Sequence, residues 1–327
     1  MNTRVIKVSI IVPIYNAKSH ISRCLDSLLN QTLQEIEIIC VLDKPTDGTD
    51  GIVEAYAKRD ERIVILRNET NLRVAESRNK GIQIAKGEYI GFHDHDDYNC
   101  APQMYEDLYK QAQQDNADIV IGDAVLRYTG TKRPDELWSI CDIEKNALIR
   151  ANILPLLSTI NPQMLTHCVW SSIYRRDFLQ HNGIVFKDRR EYLDEDRIFN
   201  LETYWNASKV SYIPKLYYIW EQYEDSTSNV YPEYLASVQI TRTQFYVDYL
   251  KDRSAFELFQ KDLWELLSVE MKVYIIYYAN LNRIDWKRLG QLMRNMNYPL
   301  FGYKYGLKLF SRKRLQLLWY NVKARVL

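Results

Sequence analysis

The first hundred residues alternate short runs of aliphatic and β-branched side chains with segments of helical period. Residues 8–12 form an apolar run, Ile21, Cys24, Leu25, Leu28 and Leu29 recur on one helical face, and 36–42 return to a strand pattern. The alternation continues with a helix over 52–58, a strand at 63–66, a helix over 74–85 and a strand at 89–92. Apolar strands separated by helices are covered on both faces, so the pattern predicts an α/β fold with a mostly parallel central sheet flanked by helices. A further strand is expected at 117–122 and a helix over 142–157, after which the chain turns aromatic and irregular through Trp170, Tyr192 and Trp205. Helical periodicity then takes over at 232–249, 255–281 and 285–296. The expected organisation is an α/β domain over 1–228 and a helical C-terminal appendage over 229–327.

With 46% hydrophobic and 26% charged positions among 327 residues, the chain can bury the core such a domain needs, which argues against disorder. The net charge of +1 gives no chain-wide attraction to polyanions, so nucleic acid is not an expected partner. Five cysteines, widely spaced and without a CxxC pair, suggest neither a disulfide framework nor a zinc knuckle, and a cytoplasmic location is expected. The first apolar run is too short for a signal-peptide core, and no stretch reaches the roughly 18 apolar residues of a membrane span.

In open α/β sheets ligands bind beyond the carboxyl ends of the strands. Pro13-Ile14-Tyr15-Asn16 follows the first strand, Asp43-Lys44-Pro45-Thr46-Asp47-Gly48 the second, and His93-Asp94-His95-Asp96-Asp97 the fourth, so all three are expected to open on one crevice. Three carboxylates within Asp94–Asp97 repel one another unless a cation or hydrogen-bond donors compensate. A divalent metal, Mn2+ or Mg2+, suits such hard oxygen ligands; the alternatives are a solvated turn or a helix N-cap at Asp97. His93 and His95 alternate along an extended segment and point apart, which disfavours a histidine metal site. Asp43 either accepts hydrogen bonds from a base or caps a helix, and capping suits Asp47. Arg78, near Ser77 and Gly81 on a helix, either clamps phosphate or base or pairs at the surface with Glu76 or Asp94.

Taken in order, Val8-Ser9-Ile10-Ile11-Val12-Pro13-Ile14-Tyr15-Asn16, Asp43 with Asp47, Ala75 to Gly81, Ala85-Lys86-Gly87-Glu88-Tyr89 and Phe92 to Asp97 resemble the family 2 glycosyltransferases. The resemblance extends to Trp170, Tyr174-Arg175-Arg176 and Glu195-Asp196, as in bacterial lipopolysaccharide and capsule members. It implies a GT-A fold that binds a nucleoside diphosphate sugar, usually a UDP-sugar, with Pro13, Tyr15 and Asp43 around the base. Arg78 then supports the nucleotide, His95 lies beside the donor sugar, Asp94 contacts ribose or metal, and Asp96 ligates a metal bridging the diphosphate. The implied reaction is transfer, with inversion, to a hydroxyl of a glycan or lipid-linked acceptor, Asp196 removing the acceptor proton. Asp194 and Glu195 remain alternatives, because three adjacent carboxylates cannot be ranked without geometry, and a solvated helix start is another. Trp170 and Glu195 are expected on the acceptor side, with 217–220 as a stacking wall or as core. Two departures from the family pattern lie near the donor: Lys44-Pro45 where Gly-Ser is common, and His95 where a small residue is common. The rival readings are a sugar nucleotidyltransferase and a non-catalytic nucleotide-binding scaffold.

Residues 301–327 carry many cations, large apolar side chains and no acidic residue, with Leu315, Leu318, Trp319 and Val322 on one helical face. The segment is expected either to touch an anionic membrane at the inner face of the plasma membrane or to dock on its own domain.

Overall fold

The structure, a computed structural model, describes residues 5–130, 132–154, 164–192, 194–223, 235–270 and 285–299. The basic segment at 301–327 and parts of the helices expected at 232–249 and 255–281 lie outside the described residues. The chain divides into two compact units: Met1–Ile149 with Pro162–Lys187 and Glu195–Ser226, and Arg150–Asn161 with Asp188–Asp194 and Thr227–Leu327. The second unit thus draws in two short segments that lie before residue 228.

In the first unit β1 (Val8–Ile14), α1 (Ile21–Leu29), β2 (Ile36–Leu42), α2 (Thr49–Ala57), β3 (Ile63–Arg67), α3 (Arg73–Ile84) and β4 (Tyr89–Phe92) follow the expected alternation. These strands pair in the order β3-β2-β1-β4, all parallel. Every residue of β1 and β2 is buried, as near-continuous apolar runs covered on both faces must be. The chain continues through β5 (Tyr98–Asn99), α4 (Met104–Asp115), β6 (Ile119–Tyr128), β7 (Glu136–Trp138), α5 (Lys145–Ile153), a short 3-10 turn at Met164–His167, and β8 (Ser172–Arg175). It then forms α6 (Arg176–His181), α7 (Arg189–Tyr192), α8 (Glu195–Asn206) and β9 (Val210–Gln222).

Beyond β4 the sheet is mixed. β8 runs antiparallel to both β4 and β6, β9 lies parallel to β6, and β5 and β7 pair antiparallel at β9 and β6. The parallel arrangement holds where strands alternate with crossover helices; β5, β7, β8 and β9 arise from the stretch whose pattern is irregular. Pro214 lies inside β9, where the pairing with β6 slips around Gly122 and Asp123, as a residue without an N–H requires. Helix α4 was not among the expected elements, although Met104, Tyr105, Leu108 and Ala112 lie buried on one face of it.

The Ala85–Tyr89 motif is a structural closure. Glu37, buried on β2, accepts hydrogen bonds from Ser9 Oγ at 2.5 Å and from the Lys86 amide at 2.7 Å, while the Gly87 amide donates to Ser9 Oγ at 2.8 Å. The carboxylate is thus satisfied without solvent, which burial demands.

The second unit is helical. α9 (Leu235–Asp252), α10 (Phe256–Glu270) and α11 (Trp286–Asn295) bury Val247, Leu250, Phe259, Leu263, Leu266, Leu289 and Met293. Asp285 caps α11 by accepting from the Arg288 amide at 2.9 Å. Arg242, buried on α9, pairs with both Asp194 and Glu270. Among the described residues no helix is long and apolar enough to cross a membrane.

Helix α3 lies so close to β1 that a Cβ on Gly81 would stand 2.5 Å from Ile11 Cγ2, whereas a Cβ on Gly51 of α2 would meet nothing within 4 Å. Gly81→Ala is therefore expected to destabilise by about 1–3 kcal/mol through overpacking. Gly51→Ala is expected to stabilise by about 0.5–1 kcal/mol through helix propensity alone. Urea-unfolding midpoints of the two variants check both signs.

Candidate active site

The loops after β1 and β2 are built by side-chain caps. Asn16, in the left-handed region at φ 48°, accepts from the Thr46 amide at 2.8 Å through Oδ1, which joins the two loops. Asp47 accepts from the Thr49 hydroxyl and amide and from the Lys18 amide, so it caps α2 and clips the β1 loop at once. Lys44 holds φ 57°, a conformation glycine adopts without strain. Tyr15, 44% exposed, presents its ring from the first loop, and Pro13 is buried beneath it in sequence order at the end of β1.

Asp43 is 2% exposed, and its carboxylate serves the start of α3. Oδ1 accepts from the Leu72 amide at 2.7 Å and from Asn68 Nδ2 at 2.8 Å, and Oδ2 accepts from the Arg73 amide at 2.7 Å. A strand-end carboxylate with no helix directly after it therefore caps one 29 residues downstream. Three donors hold its charge in place, so a base approaching this loop would meet a carboxylate of fixed orientation.

The turn after β4 contains five acidic or imidazole groups, of which His93 and Asp97 are buried and Asp94, His95 and Asp96 are partly exposed. His93 is fully buried, and its Nδ1 lies 2.8 Å from the Asp94 carbonyl, which makes Nδ1 the protonated nitrogen. Burial pushes the His93 imidazole down to about 4, so the ring is neutral. Asp97 is also buried, with Oδ2 accepting from the Tyr218 hydroxyl at 2.7 Å and Oδ1 from the Glu221 amide at 2.9 Å. Burial, with Asp96 and Asp94 beside it, raises the Asp97 carboxyl well above the ordinary carboxylate range. Strand β5 follows Asp97 directly, so Asp97 anchors the turn to β9 rather than capping a helix. His95 Nδ1 donates to the Pro13 carbonyl at 3.0 Å, which ties this turn to the end of β1.

Arg78, 2% exposed, is a buried hub rather than a surface arginine. Its Nη2 donates to Asp94 Oδ1 at 2.8 Å and its Nη1 to Asp196 Oδ1 at 2.5 Å, with Glu195 Oε1 at 3.6 Å from Nη1. Its guanidinium also lies 5.1 Å from the centre of the Phe186 ring. Arg78 thus brings Asp94, Glu195 and Asp196 together from the β4 turn and the first turn of α8. Burial pushes Asp196 up to about 7, with Arg78 opposing the rise and Glu195 and Asp94 adding to it. Asp194 is separated from these two: it is bound by Arg242 of the helical unit.

Asp96 differs from its neighbours. Among the described residues no cation forms an ion pair with its carboxylate, and burial followed by the nearby Asp94, against His95, raises its carboxyl above the ordinary range. No ready-made cage of three or more His, Cys, Asp or Glu side chains occurs among the described residues. Asp94 and Asp96 fit instead the sparse carboxylate set that Mg2+ or Mn2+ uses when a substrate phosphate and water complete the shell.

Trp170, expected on the acceptor side, is 4% exposed and stacks on Tyr218 at 4.4 Å and 11°. Through Tyr218 its contact passes to the Asp97 anchor. Glu195, 6% exposed, likewise faces Arg78. Tyr218, expected in a stacking wall or in the core, is fully buried, while Arg23 was not picked out as a site residue: its Nη2 donates to the Asp96 carbonyl at 2.9 Å. No local pattern shows the bond of Tyr218 to Asp97 or of Arg23 to Asp96, because these partners lie 121 and 73 residues away in the chain.

Comparison with known proteins bears on family and fold. The family model described as Glycosyl transferase family 2 matches residues 9–183. The glycosyltransferase EpsJ of Bacillus subtilis is 34% identical over 226 residues, covering 68% of this chain and 63% of EpsJ, just under two thirds of that relative. The crystal structure of Staphylococcus aureus TarS residues 1–349 in complex with UDP-GlcNAc has a TM-score of 0.69 at 22% identity, covering 98% of this chain and 88% of that one. The mannosyltransferase PcManGT of Pyrobaculum calidifontis in complex with GDP-Man and Mn2+ has a TM-score of 0.50 at 15% identity, covering 99% and 87%. At these identities the solved structures establish a shared GT-A fold. With its family model spanning more than half of its length, the chain belongs to glycosyl transferase family 2.

Proposed function

We propose that the protein is an inverting glycosyltransferase that moves a sugar from a nucleoside diphosphate donor, a UDP-sugar, to a hydroxyl of a bacterial surface glycan or its lipid-linked precursor. One observation carries this reading: a single buried guanidinium, Arg78, joins Asp94 of the donor turn to Asp196 of α8. A carboxylate for the donor side and a carboxylate for the acceptor proton thus belong to one cluster, as in-line displacement at an anomeric carbon requires. The TarS complex with UDP-GlcNAc supports the donor class, and the relatives named as glycosyltransferases support the reaction class.

In this reading the loops bearing Tyr15 and Asp43 receive the base, and the Asp94–Asp96 turn receives the diphosphate. Asp96 and Asp94 would hold a divalent metal, Mn2+ or Mg2+, which when bound supplies Lewis-acid neutralisation of the departing diphosphate. The Asp96 carboxylate, without an ion-pair partner among the described residues, and the Mn2+ of the PcManGT complex support it. His95, fixed as the Nδ1–H tautomer by the Pro13 carbonyl, keeps Nε2 as an acceptor, suited to a hydroxyl of the donor sugar. Asp196 takes the acceptor proton as its oxygen attacks; Arg78 holds the carboxylate in place. Arg78 is engaged by two carboxylates, so its support of the nucleotide is indirect, through the orientation of Asp94.

A scaffold that merely retains a nucleotide pocket has no need of a carboxylate at Asp196. Asp196→Asn is expected to lower kcat by about 10²–10⁴-fold while UDP affinity is unchanged; full turnover in this variant would refute the base assignment. A base acts only when deprotonated, and Asp196 stands near 7. The kcat/KM of the free enzyme is therefore expected to climb as pH rises toward 7 and to level off above it, and a profile flat from pH 5 to 9 would contradict this. Chelation by EDTA is expected to abolish transfer and added Mn2+ to restore it in the wild type but not in Asp96→Asn. Product analysis separating UDP from pyrophosphate distinguishes transfer from nucleotidyl chemistry.

A further inference from the structure

We propose that Arg23 and Glu221 form a positioning pair that holds the metal-ligating Asp96 in register from outside the site. The inference rests on the reading of Asp96 as a metal ligand. Arg23 stands on α1 beside the buried face made by Ile21, Cys24, Leu25 and Leu28, and helix packing makes no use of it. Its Nη2 donates to the backbone carbonyl of Asp96 at 2.9 Å. The same guanidinium is ion-paired with Glu221, lies over the Tyr98 ring at 4.6 Å from its centre, and donates to the Tyr223 hydroxyl at 3.1 Å.

Glu221 closes the arrangement from the β9 side. Its carboxylate is 6% exposed and takes the Tyr223 hydroxyl, the Thr129 hydroxyl at 3.2 Å and Arg23. Its backbone amide donates to Asp97 Oδ1 at 2.9 Å. The two consecutive aspartates are therefore gripped by one pair: the carbonyl of Asp96 by the guanidinium of Arg23, the carboxylate of Asp97 by the amide of Glu221. The peptide that carries the Asp96 side chain cannot rotate without breaking a charge-assisted hydrogen bond. Groups that orient a metal ligand in this way typically change metal affinity by about 10–100-fold when removed. Neither residue touches the reacting atoms, so each acts through Asp96.

The test is a calorimetric titration of Mn2+ into the full-length protein saturated with UDP, together with UDP titrations without metal. The variants are Arg23→Met and the double variant Arg23→Met/Glu221→Gln, which leaves no buried unpaired charge and so separates positioning from misfolding. Both are expected to bind Mn2+ at least about tenfold more weakly, with UDP affinity in the absence of metal unchanged. Wild-type Mn2+ affinity in both variants overturns the inference, as does a parallel loss of metal-free UDP affinity, which would mark a general structural role. Absence of Mn2+-dependent UDP binding in the wild type instead overturns the donor-site reading itself and the inference with it.

Discussion

A guanidinium that is 2% exposed loses nearly all of its hydration, and the penalty of several kcal/mol is offset only if charges replace the water. Arg78 meets this condition with Asp94, Glu195 and Asp196, and the rest of the first unit is arranged to deliver them. Asp94 comes from the turn after β4, in the parallel half of the sheet. Glu195 and Asp196 come from the opening of α8, and Arg78 itself projects from α3, which reaches β1 closely because Gly81 has no side chain. One cation faces three carboxylates, so the cluster keeps an excess of negative charge. That excess is one reason Asp196, although hydrogen-bonded to an arginine, stays high enough to exchange a proton near neutrality.

The Asp194-Glu195-Asp196 run shows how geometry divides residues that chemistry leaves equal. Asp194 precedes α8 and is paired with Arg242, itself buried against Glu270 in the helical unit. Glu195 and Asp196 begin α8, where a helix N-terminus favours negative charge, and meet Arg78. The partners lie 48 and 118 residues away, and no periodicity in the sequence points to either distance. Arg78 was legible as a residue near the site from its helix and its motif. That it would be a buried hub was not: pairing with Asp94 was expected only at the surface, and Asp196 lies 118 residues away in the chain.

Legibility follows the same logic across the fold. β1, β2 and β4 and the buried face of α1 were readable because each depends on local period: continuous apolar runs for strands covered on both faces, and three- and four-residue spacing for a helix with one buried face. β5 has two residues and β9 contains Pro214, so their local signals are weak and their existence depends on pairing with distant partners, whereas α4 carries the same three- and four-residue spacing as α1 and was overlooked. The motif at Ala85–Tyr89 was readable as a pattern but not as a cause. Its glycine and the Lys86 amide serve a buried Glu37 on another strand, which is a requirement of folding, whereas the resemblance draws it together with residues that serve a ligand.

The same distinction applies inside the Phe92–Asp97 turn, where it bears directly on function. His93 is neutral and donates to the Asp94 carbonyl; Asp97 is held by the Tyr218 hydroxyl and the Glu221 amide; His95 is held by the Pro13 carbonyl; and the Asp96 carbonyl is held by Arg23. Each of these bonds fixes a backbone or side-chain group that a ligand does not need. The carboxylate of Asp96 is left without an ion-pair partner among the described residues, at the centre of a turn otherwise locked on every side. An acidic side chain that is partly buried beside other carboxylates and without a counter-charge raises the energy of the ligand-free protein. In the proposed reading a divalent cation would recover that energy, and the turn that is electrostatically unfavourable in isolation would favour the metal- and donor-bound state.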